Sequence, residues 1–138
     1  MERLDPLVSA LTARFPGRMD AQYYQATALF QKGRIEDAAN AAQRVVTANP
    51  QDGRAQNLLG AACARLGRRE CARSAFAAAI LATPRSPSAY VNFGVFCLET
   101  GDPQSAARYF SESLTIDPRS ALARDGLARA KSLIENPR

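Results

Sequence analysis

Large and small apolar residues recur along this chain in a fixed order that returns every 34 positions. Leu59-Gly60 is answered by Phe93-Gly94, and Gln25-Ala26 holds the same place one interval earlier. Ala38, Ala72 and Ala106 follow, then Ala42, Phe76 and Phe110, then Val45, Ala79 and Ser113. Four prolines, Pro16, Pro50, Pro84 and Pro118, and three glycines, Gly33, Gly67 and Gly101, keep the interval at their own offsets. Self-similarity at a fixed spacing marks stacked supersecondary units, each of which buries its apolar face only against its neighbours.

The punctuation converts the period into element boundaries. Each glycine of Lys32-Gly33, Leu66-Gly67 and Thr100-Gly101 can take the left-handed conformation that ends a helix. Ser86-Pro87 and Asp102-Pro103 each supply an N-cap followed by proline at the first helical position. The pattern predicts paired helices over 20–32 and 36–48, 54–66 and 70–82, and 88–100 and 104–116, with a last helix over about 121–134. A short helix opened by Asp5-Pro6, carrying Leu7, Val8 and Leu11, is expected before Pro16. Ala26, Gly60 and Gly94, facing Ala38, Ala72 and Ala106, let the paired helices approach closely, while Leu29, Phe76 and Phe110 fill the space beside them. Lys131 makes the outer side of the last helix polar, as a capping helix requires.

The chain resembles the tetratricopeptide repeat family, whose signature sets an aromatic, Leu-Gly and Tyr on one helix and Ala with an aromatic four residues on in the next, closed by Pro. The third unit carries Tyr90, Phe93-Gly94, Ala106, Phe110 and Pro118, and the second Leu59-Gly60, Ala72, Phe76 and Pro84. The first departs, with Gln22 for the aromatic, Gln25 for Leu and Ala42 for Phe. The resemblance implies an all-α, right-handed superhelical solenoid of antiparallel helix pairs with a C-terminal capping helix. It implies one domain over 1–138: an N-terminal helix (1–18), repeats at 19–52, 53–86 and 87–120, and the cap (121–138). One such fold hosts many functions, so function must be argued from the surface.

Composition narrows the chemistry. The chain has no His, which removes the commonest general base, metal ligand and partner of a Ser or Cys nucleophile. No Gly-rich phosphate loop is present, and after Gly17 only Gly53 and Gly126 lack a turn or a packing role. We therefore expect no enzyme activity, no cofactor and no metal. Cys63 and Cys97 occupy one equivalent place on first helices, and Cys71 lies on a second helix without CxxC spacing. The three are read as small buried apolar residues of a reducing compartment, in preference to a thiol switch or metal site. No apolar run approaches the roughly 18 residues of a membrane span, and Met1-Glu2-Arg3-Leu4-Asp5 lacks the apolar stretch of a secretion signal. A cytoplasmic protein without a membrane contact is the expectation, unless a targeting segment is missing from this chain.

What remains is surface. In the family's superhelix the first helices line the concave side, and by phase this groove presents Tyr23, Thr27 and Phe30, then Arg54, Asn57, Ala61 and Arg65, then Val91, Asn92, Val95 and Leu98. Apolar residues recurring on one face mark a partner site. The expected function is protein–protein interaction without catalysis, a peptide or helix laying its apolar side chains against Tyr23, Phe30, Ala61, Val91, Val95 and Leu98. Asn57 and Asn92 would pair its polar atoms, and Arg54 and Arg65 would set a preference for acidic character. Co-chaperone members of the family hold terminal carboxylates with Lys, Asn and Arg, but the corresponding places here, Tyr23, Thr27, Leu58, Ser88 and Asn92, include no cation, so this clamp is rejected.

The net charge of +5 is concentrated in the middle unit, where residues 53–86 hold six arginines against one acid. Arg65, Arg68, Arg69 and Arg73 cluster at its inter-helix turn and are read as a solvated surface. Anion or RNA binding through them is the alternative, disfavoured because aromatics are not interleaved with them. Self-association through open solenoid ends, and a role as a regulatory piece of a larger enzyme, also remain open.

Overall fold

The computed structural model describes residues 19–137, so the helix expected before Pro16 lies outside the described residues. Seven helices and no strand are found among them: α1 (Met19–Gln31), α2 (Ile35–Ala48), α3 (Gly53–Arg65), α4 (Arg69–Ala82), α5 (Pro87–Glu99), α6 (Pro103–Ile116) and α7 (Ala121–Glu135). They fall into two compact units divided between Ala82 and Thr83. In the first, α1 packs on α2, α2 on α3 and α3 on α4, and α1 also meets α3. In the second, α5 packs on α6, α6 on α7, and α5 also meets α7.

The ends of the helices follow from the punctuation. Gly33, Gly67 and Gly101 hold φ of +84°, +74° and +82°, and each lets the next residue's N–H return to a carbonyl of the finished helix, as Arg68 N does to Cys63 O at 2.8 Å. Asp52, Ser86, Asp102 and Ser120 then cap α3, α5, α6 and α7 by accepting from the backbone N–H of Ala55, Ala89, Ser105 and Ala123. Gln56 Nε2 donates to the carbonyl of Pro50 (3.0 Å) and, one period on, the Tyr90 hydroxyl donates to that of Pro84 (3.2 Å). Two different side chains therefore tie a first helix to the proline that precedes it.

In the first unit the core is made of small residues, including Ala26, Ala38, Ala55, Ala62 and Ala72, closed by Val45, Leu59 and Phe76. Phe76 occupies the space that a side chain at Gly60 would need, its ring lying 2.8 Å from where a Cβ would stand. In the second unit Phe110 is wholly buried and does this twice: a Cβ at Gly94 would stand 2.9 Å from the ring, and one at Gly126 only 2.5 Å. Gly126, without a role in the sequence, is thus the surface on which α7 receives Phe110.

Cys63 and Cys71 are joined by a disulfide, with their Cα atoms 5.9 Å apart. This corrects the expectation that all three cysteines are buried thiols. Cys63 stands in the last turn of α3 and Cys71 in the first turn of α4, so the tight turn at Gly67 brings them opposite each other across the hairpin, within bridging distance and without any CxxC motif. Cys97 is buried in the second unit and takes no part in the bridge. The place that Cys71 fills in its repeat is held there by Ser105.

Candidate interaction faces

In the first unit Tyr23, Thr27 and Phe30 rise one turn apart from α1, and Arg54, Asn57, Ala61 and Arg65 from the neighbouring α3. The arginines lie over the aromatics. The Arg54 guanidinium carbon is 4.4 Å from the Tyr23 ring centroid, and that of Arg65 is 5.1 Å from the Phe30 centroid. Two of the middle unit's arginines thus meet aromatic rings of the preceding repeat, contacts that the linear order of the residues does not display. Each contact contributes about 0.5–1 kcal/mol at an exposed site.

Arg54 is further fixed by Asp20 Oδ1 at 3.3 Å and by Asp52 Oδ1 at 3.7 Å. Partial burial works against its charge, but the hydrogen bond that Arg54 donates to Asp20 and the fields of Asp52 and Tyr23 outweigh it and hold the guanidinium above its usual range. Arg65, exposed and stacked, has no ion pair among the described residues. Arg68 reaches back to Glu36 at 2.7 Å and pins the α3–α4 turn to the first turn of α2.

Two polar groups of the expected groove differ in how they are satisfied. The Thr27 hydroxyl donates to Tyr23 O on its own helix at 3.1 Å. Asn57 Oδ1 is enclosed and has no hydrogen-bond partner among the described residues.

In the second unit α5 and α7 flank a cavity of about 480 Å³. Val91, Asn92, Val95 and Leu98 line it from α5, Leu122, Asp125, Gly126 and Arg129 from α7, and Phe110 reaches it from α6. Val95 is 42% exposed and Leu122 73%, so both present apolar surface to the opening. Val91 is only 9% exposed and belongs to the core, a correction to its expected role as an open contact. Sequence reasoning ended the face at Leu98 and left out the α7 wall. Carrying the period one helix further would have found it, since Asp125 and Arg129 repeat the places of Val91 and Val95.

Among the described residues no three His, Cys, Asp or Glu side chains cluster as metal ligands would, and no helix is long and apolar enough to cross a membrane.

The sequence profile of the tetratricopeptide repeat matches residues 6–52, 25–70 and 64–121. The chain belongs to the tetratricopeptide repeat family. No curated protein matches its sequence. Solved structures of the family superpose closely. The first tetratricopeptide domain of Spaghetti (RPAP3), bound to the HSP90 peptide SRMEEVD, has a TM-score of 0.81 at 16% identity, covering 86% of this chain and 94% of that one. MamA has a TM-score of 0.83 at 17% identity, covering 93% and 75%. The O-GlcNAc transferase of Thermobaculum terrenum has a TM-score of 0.75 at 22% identity over 81% of this chain, which corresponds to 22% of that enzyme. At these identities the likeness establishes the fold, an all-α stack of tetratricopeptide helix pairs.

Proposed function

We propose that this tetratricopeptide domain is a binding module that holds a partly apolar, partly acidic segment of a partner protein and performs no catalysis of its own. The observation that carries this is the second-unit cavity, whose walls leave Val95 and Leu122 open while Phe110 closes the interior. Apolar anchors of a partner would seat there, beside Leu98 and the amide of Asn92. On the first unit, Ala61 with the edges of Tyr23 and Phe30 would receive further apolar contacts, and Arg54 and Arg65 would attract the acidic ones. The RPAP3 domains offer an analogy, being solved with the HSP90 peptide SRMEEVD and the HSP70 peptide SGPTIEEVD, in which acidic and apolar residues adjoin. The cations of the family's carboxylate clamp are missing here, so a different segment is bound.

The Arg54–Tyr23 and Arg65–Phe30 stacks also favour a second reading, an anionic polymer such as single-stranded RNA lying on the first unit. The Cys63–Cys71 bridge supports an oxidising compartment over the cytoplasm expected from the sequence.

The test is selection from a displayed peptide library, followed by titration. Peptides combining apolar and acidic residues should be enriched, and Val95→Glu with Leu122→Glu should weaken them about fivefold or more, equivalent to about 1 kcal/mol or more, without changing the melting temperature. Unchanged peptide affinity in that folded variant refutes the second-unit cavity as the anchor site. Tight, salt-sensitive binding of oligouridine, lost in Arg54→Gln with Arg65→Gln, would promote the RNA reading instead.

A further inference from the structure

The two cysteines of the disulfide differ in exposure. Cys63 is 1% exposed, whereas Cys71 is half-buried and lines an open cleft of about 440 Å³ on the first unit. Gln43 and Val46 of α2 form one wall, Ser74 and Ala78 of α4 the other, and Gln56 and Leu59 of α3 lie between them. An attacking nucleophile therefore approaches from the Cys71 side of the bridge. Around it the charge is positive: Arg65, Arg68, Arg69 and Arg73 lie within two turns of the bridge, against Glu70 and the partner of Arg68, Glu36. Cys71 also stands in the first turn of α4, where the unpaired N–H groups favour negative charge.

From this geometry we propose that Cys63–Cys71 is a thiol-exchange site, opened at Cys71 by a small anionic thiol entering the cleft. The incoming thiolate attacks Cys71 Sγ in line with the S–S bond. A mixed disulfide forms at Cys71, and Cys63 leaves with the bonding electron pair and takes a proton from water. Attack by the Cys63 thiolate on the mixed disulfide expels the small thiol and restores the bridge. A second small thiolate attacking the mixed disulfide at the small thiol's sulfur instead releases the symmetrical small-molecule disulfide, leaving the protein as a dithiol. The hairpin survives each state, because the Gly60–Phe76 contact and the Arg68 N–H to Cys63 carbonyl bond do not depend on the sulfurs. Apart from Arg65, the site shares no residue with the interaction faces, and it does not rest on the binding reading.

The experiment treats the oxidised full chain with reduced glutathione, quenches with acid and maps the adducts by peptide mass. The expected product carries glutathione on Cys71 and a thiol at Cys63. At equal thiolate concentration, glutathione should open the bridge several-fold faster than cysteamine, a cationic thiol, and salt should shrink that difference. Cys63→Ala should take up glutathione from its disulfide at Cys71 in the native state, while Cys71→Ala should leave Cys63 unmodified until denaturant is added. Adducts on Cys63, equal rates for the two thiols at low salt, or two thiols in chain prepared under oxidising conditions would each overturn the proposal.

Discussion

Replacing Gly94 with Ala asks whether one missing methyl group sets how closely α5, α6 and α7 pack. Two opposed effects decide the sign. Alanine favours a helix interior over glycine by about 1 kcal/mol, which stabilises the variant. Against this, the new Cβ would stand 2.9 Å from the Phe110 ring, and carbon atoms rest at about 3.5–4.0 Å, so the ring must retreat by about 0.6 Å or more. Phe110 is wholly buried and its Cε1 and Cζ atoms lie close to Gly126 as well as to Gly94, so there is little room into which the ring can move. Overpacking of this kind costs about 1–3 kcal/mol, and the net expectation is a loss of up to about 2 kcal/mol, several degrees in melting temperature. Gly126→Ala should cost more, since its Cβ would stand only 2.5 Å from the ring. The discriminating measurement is the same substitution in a Phe110→Leu background, followed by urea and thermal unfolding. With the ring gone, Gly94→Ala should become stabilising. An equal loss in both backgrounds, or a gain in the wild-type background, would refute the argument.

Other expectations follow from the same geometry. Ser105→Cys should form a second bridge, to Cys97, because these residues repeat the places of Cys71 and Cys63; thiol counting after denaturation should then find no reactive cysteine, and the loop closure should add about 2–3 kcal/mol. A double-mutant cycle of Arg54→Gln and Tyr23→Leu should return a coupling of about 0.5–1 kcal/mol in chemical unfolding, and a value near zero would show that the stack contributes nothing. Val95→Glu should change stability by about 0.5 kcal/mol or less, whereas Val91→Glu buries a charge and should cost at least about 2 kcal/mol. Similar melting temperatures for the two variants would contradict the division of α5 into an open and a covered side.

The helix boundaries were legible to within about a residue, because the glycines that end three of the helices, the side-chain caps that open four and the prolines beside two of these are local devices that need no tertiary knowledge. The close approach at Gly60 and Gly94 was equally legible from the alternation of size. What the period could not convey is which residues face each other. Phase grouped Cys63 with Cys97, its equivalent in the next unit, although the sulfur it meets is across the turn at Cys71. The same blindness hid the arginine–aromatic stacks, since Tyr23 and Phe30 are contributed by one repeat and Arg54 and Arg65 by the next. Val91 was placed on the open face by phase within its own repeat, without carrying the period on to the helix that packs next to α5.

The Arg54–Tyr23 stack has an optical consequence. The chain has four tyrosines and no tryptophan, so its intrinsic emission comes from phenol rings alone. Tyr23 lies beneath a guanidinium, and Tyr24 meets it edge-on at 5.4 Å, close enough for excitation to pass between the two rings. A ligand that draws Arg54 away would uncover one member of this pair and alter the signal of both. The first unit thus contains its own unlabelled fluorescent probe, positioned at the end of α1 that meets Arg54.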